Sequence, residues 1–215
     1  MTWLSSSNDR TPSKHETTKM ARALNTIYEK SQGGLAVLSP IAEVASSYPD
    51  EDTGDAVKKL IRNHVALAGT AGFVTSVGGV ATLPVSVPAN LTSTLVIQLR
   101  MVSGIAIATG HDPADDRVKA LGLACLAGSG YRQTLRKAGI ELGKKAALQA
   151  IRQVPGKVLI QINKQVGFRL LTKFGKTGVV NLGKLAPVAG GLVGGGVDSA
   201  STYAVGKAAR SAFSG

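Results

Sequence analysis

Residues 65–99 read VALAGTAGFVTSVGGVATLPVSVPANLTSTLVIQL, 35 positions without Asp, Glu, Lys, Arg or His, in a chain whose formal net charge is +12. The two prolines of Leu83–Pro88, LPVSVP, divide this stretch in two. An uncharged segment of this length has to be shielded from water, either in a helical core or in a bilayer. The rest of the sequence has to decide between these two environments.

The composition indicates one substantial domain, with or without a tail. The chain has 215 residues, of which 44% are hydrophobic, 18% charged and 4% aromatic, so its core has to be built from Ala, Val, Leu and Ile rather than from rings. The 26 glycines allow helix backbones to approach closely. Strand-like alternation with hairpin turns is missing from the sequence. We therefore predict an all-α fold, a compact multi-helix bundle of Gly-rich, closely packed apolar helices.

Three segments are predicted along the chain. The polar residues 1–18 predict a disordered tail. Residues 19–54 are expected to form a helical arm whose first helix covers Thr18–Gln32. An acidic turn at 48–54 separates this arm from the main helical domain, residues 55–213.

The main domain is expected to have an apolar helix at its centre. In Pro88–Thr109 the apolar groups surround the helix axis, which predicts burial on all sides. Gly110 is expected to end this helix, and the acidic run Asp112–Asp116 to cap the next one. A later, amphipathic helix has an apolar stripe formed by Leu159, Ile162, Val166 and Leu170.

The cysteine content and the N-terminus bear on the compartment. Cys125 is the single cysteine, and its apolar neighbours indicate a small buried hydrophobe. One cysteine is typical of a reducing compartment. The first nine residues have neither the basic start nor the apolar run of a signal peptide. We expect a cytoplasmic protein, or one at the cytoplasmic face of a membrane.

Most of the positive charge lies in one quarter of the chain. Between positions 131 and 184 there are 12 basic residues and one acidic residue, Glu141, for a net charge of +11. The candidates for contact with a membrane surface are Arg132, Arg136, Lys137, Lys144, Lys145, Arg152, Lys157 and Lys164. A solvated helical face and an anionic lipid surface both fit this pattern, and near such a surface each Lys or Arg contributes on the order of 1 kcal/mol. Nucleic acid is disfavoured because the aromatic platforms that single strands stack on are too few.

The central motif carries a family resemblance. The runs LPVSVP (Leu83–Pro88), LVIQLR (Leu95–Arg100) and GHD (Gly110–Asp112) resemble the central signature of the EcsC family of bacterial proteins. Two positions depart from that signature. Thr109 stands where the family often has an aromatic residue, and Ser86 stands where it often has an acid between the two prolines.

A second motif near the C-terminus strengthens the resemblance. LAPVAGGLVGGGVD (Leu185–Asp198), followed by Thr202 and by GKAA at 206–209, is similar to the closing motif of the same family. A related motif closes helical membrane-associated domains appended to some bacterial GTPases. The resemblance covers about residues 55–213. It implies a helical protein whose founding relative is encoded beside an ABC transporter, and it implies no particular reaction.

Two solitary charges define the predicted polar site. Arg100 and Asp198 each stand in a long apolar neighbourhood, and leaving either one buried and unpaired costs several kcal/mol. We predict that they meet, or that Asp112 or a solvent-filled pocket takes the partner's place. A purely structural pair and a site for a lipid head group or another ligand are both open. The further polar members of such a site are Gln98, His111 and Thr202.

Signatures of common catalytic and metal sites are missing from the sequence, among them Gly-x-Ser-x-Gly, His-Glu-x-x-His, Cys-x-x-Cys and Walker A. His64 is interpreted as a histidine at the edge of the core, because no second histidine stands at helical spacing from it. We therefore assign no catalytic residue, no metal and no cofactor. An enzyme that uses Asp and Arg stays an alternative.

The sequence favours a soluble or peripheral bundle over a membrane-spanning one. Residues 65–82 give only 18 uncharged positions, near the lower limit for a span. A span at Pro88–Thr109 would place Arg100 in the middle of the bilayer, which is costly. A bundle that opens to insert its helical hairpin is the alternative.

These features favour a non-enzymatic, EcsC-type helical protein that acts at the cytoplasmic membrane surface. It would be peripheral to or inserted in the inner membrane, with anionic lipid as its partner. A small-molecule or hydrolytic site around Arg100 and Asp198 is one alternative. A protein-interaction module, in which the helix Lys157–Leu171 docks a partner, is another.

Overall fold

Three of the described helices begin at a residue whose side chain caps the first turn. The Ser13 hydroxyl accepts a hydrogen bond from the Glu16 N–H at 3.2 Å, and the Glu16 carboxylate accepts one from the Ser13 N–H at 2.7 Å, which completes a capping box. Asp52 and Asp115 each accept a hydrogen bond from the backbone N–H two residues further on, at 3.1 and 2.7 Å. These bonds satisfy N–H groups that the first helical turn leaves without partners.

The computed structural model describes residues 11–33, 39–47, 52–70, 89–140, 147–177 and 187–214. The regular structure in these ranges is entirely helical, which confirms the all-α prediction. The α-helices are α1 (Lys14–Gln32), α2 (Ile41–Ser46), α3 (Thr53–Gly69), α4 (Ala89–Ala108), α5 (Asp116–Cys125), α6 (Tyr131–Lys137), α7 (Ala147–Ile151), α8 (Gly156–Thr177) and α9 (Pro187–Phe213), with a short 3₁₀ turn at Gly128–Gly130.

Helix α4 lies at the centre of the bundle. Every side chain from Ser93 to Ala106 is buried, and α4 packs against α1, α2, α3, α5 and α9. The helix ends as expected at Gly110, whose φ of 79° only glycine adopts readily. The His111 N–H bonds the Ala106 carbonyl at 2.8 Å, and the Gly110 N–H bonds the Ile107 carbonyl at 2.9 Å. Both bonds belong to a Schellman motif. The burial of Ser93 to Ala106 confirms the prediction of a helix surrounded by core.

The N-terminal helix is part of the core rather than an arm beside it. Helix α1 begins at Lys14, inside the segment 1–18 for which disorder is expected, because Ser13 and Glu16 form the capping box; residues 1–10 lie outside the described ranges. Leu24 and Ile27 of α1 are fully buried. The α1 helix packs against α4 and α8. Its interface with α8 is so close that a Cβ at Gly167 would lie 3.1 Å from the Thr17 carbonyl oxygen.

Glycine also sets the position of the last helix. A Cβ at Gly206 of α9 would lie 2.9 Å from Ile61 on α3 and 3.2 Å from Met101 on α4, so the three helices meet at this point. This close approach is what the glycine content predicts. The motif residues 83–88 lie outside the described ranges.

The described helices and the single cysteine bear on two further predictions, a membrane span and a buried thiol. In the ranges that the structure describes, no helix has both the length and the apolarity needed to cross a bilayer. Most of the span considered at 65–82 falls outside those ranges. Cys125 is fully buried, and burial raises the pKa of its thiol, as expected for a small core hydrophobe.

Candidate functional site

A polar seam joins α4 and α9 inside the bundle. The Gln98 amide donates to the Ser201 hydroxyl at 3.1 Å and to the Thr202 hydroxyl at 3.3 Å. One turn earlier on each helix, the partly buried Asp198 carboxyl has a hydrogen bond with Thr94. The two helices run parallel here, since each pairs with the other at matching steps along the chain. The structure thus brings together three of the predicted site residues, Gln98, Asp198 and Thr202.

Burial dominates the chemistry of Asp198. Loss of water raises the pKa of its carboxyl, and the hydrogen bond with Thr94 opposes this effect only in part. The charged form of Asp198 is therefore disfavoured in the folded protein. Thr94 and Ser201 are the members of this seam that sequence reasoning did not select, although both stand at helical spacing from selected residues.

Arg100 does not pair with Asp198. Its guanidinium is buried, donates to the Gly33 carbonyl at 3.1 Å and donates also to the Ser39 carbonyl. Burial lowers the pKa of Arg100. Because two residues of helix turn the side chain by about 200°, Arg100 and Gln98 point to opposite sides of α4. The expected partner of Arg100 is thus replaced by backbone carbonyls at the ends of the connection between α1 and α2.

His64 lies near the charge of Arg100. It is buried, and its Nδ1 donates to the Leu60 carbonyl at 2.8 Å. Burial lowers the pKa of His64 to about 4, the hydrogen bond to Leu60 opposes this, and Arg100 lowers the pKa further. His64 therefore takes no proton at neutral pH. Its place in the core agrees with the expectation of a core-edge histidine. In the described ranges, no group of three His, Cys, Asp or Glu side chains is arranged to hold a metal.

His111 and Asp112 lie just beyond the C-terminal end of α4, which is about 15 Å along the helix from Gln98. The His111 ring packs against Phe213 with centroids 5.9 Å apart, and its Nε2 lies 3.3 Å from the Phe213 carbonyl oxygen. Asp112 is exposed, and its carboxylate accepts from the Ala114 N–H at 2.8 Å. The predicted polar cluster is thus divided among three places in the fold.

The basic segment places its cations in solvent. Six of the eight candidates for membrane contact are described, and all six side chains are exposed: Arg132, Arg136, Lys137, Arg152, Lys157 and Lys164. We call these six residues the basic surface. Lys144 and Lys145 lie outside the described ranges.

Helix α8 of the basic surface is amphipathic, as the sequence predicts. Its apolar stripe at Ile162, Val166 and Leu170 is buried. On the opposite side, Ile160 is 58% exposed and lies between Lys157 and Lys164 along the chain. A large apolar side chain held in solvent between two cations is suited to a surface that is both anionic and apolar just below its charges.

A second cationic feature lies between α3 and α9, which run antiparallel. It is a groove of about 660 Å³ lined on one side by Lys58, Ile61, Arg62 and Val65 and on the other by Tyr203, Lys207, Arg210, Ser211 and Ser214. We call it the α3–α9 groove. Sequence analysis did not find it, although Tyr203, Lys207 and Arg210 follow one another at helical spacing on α9.

Comparison with known proteins identifies the family. No curated protein and no solved structure matches the chain. The sequence profile of the EcsC protein family matches residues 3–214, so the match includes the N-terminal helix as well as the two motifs. The chain belongs to the EcsC protein family.

Proposed function

We propose that this protein acts as a peripheral, non-enzymatic binding protein at an anionic membrane surface, on the cytoplasmic leaflet. The observation that carries the proposal is the exposure of all six described cations of the basic surface, in a segment where the sequence has only one acid. A neutral membrane has no negative surface potential to attract these cations. An anionic leaflet contributes on the order of 1 kcal/mol for each one that comes near it.

The packing of α8 supports contact through this helix. Its buried stripe holds it against α1 and α5, so its outer side is presented on a fixed scaffold. Lys157 and Lys164 would lie over the head groups while Ile160 enters the boundary below them. This geometry needs no helix to cross the bilayer.

The alternative site around Arg100 and Asp198 has less support. The guanidinium of Arg100 is occupied by two backbone carbonyls, and Asp198 belongs to the seam on the opposite side of α4. A ligand that needs both charges would find them turned away from each other.

The proposal is tested by sedimentation with vesicles of phosphatidylcholine, with and without phosphatidylglycerol, from about 0.05 to about 0.5 M NaCl. We expect binding only with the anionic lipid, and we expect it to weaken as salt rises. Replacing Lys157 and Lys164 by Gln removes about 2 kcal/mol, which is a roughly 30-fold loss of affinity.

The matched control is Lys14→Gln with Arg117→Gln. Both residues are exposed and lie outside the basic surface. The control removes two positive charges, as the test variant does, so the two chains have the same net charge. We expect it to bind nearly as the unaltered protein does. Equal losses in the two variants, or equal binding to neutral vesicles, would contradict a specific role for the basic surface.

A further inference from the structure

The α3–α9 groove concentrates positive charge over an apolar floor. Four of its lining residues are cations, namely Lys58, Arg62, Lys207 and Arg210, and none of its described lining residues is acidic. The floor is apolar because Gly206 lets α9 lie against Ile61, which is buried. Val65 and the ring of Tyr203 continue this apolar lining.

The cations of the groove are only partly balanced by the protein. Asp55 is the carboxylate next to it, and Asp55 is held by Lys58 at 2.7 Å. The hydrogen bond and charge of Lys58 keep the pKa of Asp55 below its usual range, with smaller contributions from Lys59 and Arg210. Among the described residues, one carboxylate against four cations leaves the groove with an excess of positive charge.

The remaining groups of the groove suit an organic phosphate. Arg62 and Arg210 carry planar guanidinium groups that can form paired hydrogen bonds with a phosphate. Ser211 and Ser214 add hydroxyl groups at one end of the groove. Lys207 lies above the Tyr203 ring, with its Nζ 5.8 Å from the ring centre, so a cation and an aromatic surface stand side by side.

The size of the groove fits a small ligand rather than a single ion. Its volume of about 660 Å³ lies within the range of small-molecule sites, about 300–1,000 Å³. Inorganic phosphate would reach the cations and leave Ile61, Val65 and the Tyr203 ring uncovered. A ligand with an apolar body would cover them as well, and each apolar Å² removed from water adds to its affinity.

We infer that the α3–α9 groove binds a phosphate monoester attached to an apolar or aromatic body. Such a group is found on a lipid, where the body is an acyl glycerol, and on soluble phosphates. The groove is separate from the basic surface, and the inference does not depend on the proposed function. The two features are neighbours, however, because the Ser211 hydroxyl lies 3.0 Å from the Tyr131 hydroxyl, to which Arg132 donates.

The test is isothermal titration of the full chain with four probes. Dihexanoylphosphatidic acid, used as a monomer, represents the lipid source, and adenosine monophosphate represents the soluble source. Inorganic phosphate tests the anion alone, and dihexanoylphosphatidylcholine tests the apolar body with a zwitterionic head. We expect one of the two monoesters to bind at least about tenfold more tightly than inorganic phosphate and than the phosphatidylcholine, and the tighter monoester identifies the source.

Variants on exposed residues locate the binding. Replacing Arg62 and Arg210 by Gln should weaken binding of the preferred monoester about tenfold or more, since each loses a charge-assisted contact. Tyr203→Ala should weaken the monoester and leave inorganic phosphate unchanged. Circular dichroism melting checks that each variant is folded, and Lys207→Gln is a milder second test of the same charge.

Several results would overturn the inference. They are no binding of either monoester, equal binding of inorganic phosphate, equal binding of the phosphatidylcholine, or binding that the Arg62 and Arg210 replacements leave intact. The variant with Lys157 and Lys164 replaced by Gln separates the two proposals. It should lose affinity for anionic vesicles and keep its affinity for the monoester.

Discussion

Stability below pH 6.5 should depend on one buried histidine, His64. Its pKa is 6.5 in an exposed chain and about 4 in the folded protein, because burial disfavours the imidazolium form. Above pH 6.5 neither state binds the proton. Between pH 6.5 and about 4 the unfolded chain takes up a proton that the folded chain refuses, so the free energy of unfolding falls as the pH falls. Below about pH 4 both states are protonated and this contribution stops changing.

The magnitude follows from the difference between the two pKa values. At about 1.4 kcal/mol per pKa unit, the stability lost across this window is about 3 kcal/mol. That is a large part of the roughly 5–15 kcal/mol that stabilises an ordinary domain. The charge of Arg100 is one of the causes of the lowered His64 pKa and is included in this figure, because a second cation beside Arg100 is repelled.

The assay is urea unfolding, followed by circular dichroism at several pH values between neutral and pH 4, for the protein and for His64→Asn. Asparagine cannot titrate, and its amide can still donate to the Leu60 carbonyl. Carboxylates titrate in both proteins, so the difference between the two stability curves isolates His64. His15→Asn, at an exposed position on α1, is the control and should run parallel to the unaltered protein.

The result that would refute the reasoning is a constant difference between the protein and His64→Asn from neutral pH to pH 4. Such a result would mean that His64 is protonated as easily in the folded state as in the unfolded one. The imidazole would then be in contact with water, and the described packing around it would be wrong.

Three other perturbations test the packing. Arg100→Met removes the charged donor of the Gly33 and Ser39 carbonyls and should cost about 1–3 kcal/mol of stability in urea unfolding; an unchanged midpoint would contradict the contacts of the guanidinium. Gly206→Ala forces a Cβ against Ile61 and should destabilise by about 1–3 kcal/mol, whereas Gly196→Ala on the same helix meets nothing within 4 Å and should stabilise by up to about 1 kcal/mol; equal effects would refute the close approach. Because the pKa of Asp198 is raised by burial, stability should fall as pH rises through that pKa, so Asp198→Asn should stabilise the protein at neutral pH and lose this advantage in acid. A variant that is less stable than the protein at neutral pH would contradict this sign.

The sequence predicted the fold correctly where the residues of a single helix determine which of its sides are buried. The segment around Leu95–Ile105 is apolar on every side, so only a central position in the bundle satisfies it, and α4 has that position. Gly110 could be recognised as the end of this helix because a left-handed residue is needed there. The buried stripe of α8 follows from spacing alone in the same way.

The candidate site could be predicted only in part, because it depends on which helices face each other. Arg100 was expected to pair with an acid, but two backbone carbonyls meet its charge, and carbonyls have no sequence signature. The spacing of Gln98 and Arg100 did indicate that the two side chains do not share a site, since side chains two residues apart on a helix point to opposite sides. The α3–α9 groove joins residues about 150 positions apart, and the close approach at Gly206 brings Arg62 and Arg210 to the same place.

The position of α9 has a consequence for synthesis of the protein. This helix is translated after every other described helix, yet Ala209 and Ala212 on it are fully buried, and it packs against both α3 and α4. Without α9, the side chains of Ile61 on α3 and Met101 on α4 lose the helix that covers them. The core formed by the described helices is therefore completed only when α9 has been synthesised and packs onto α3 and α4.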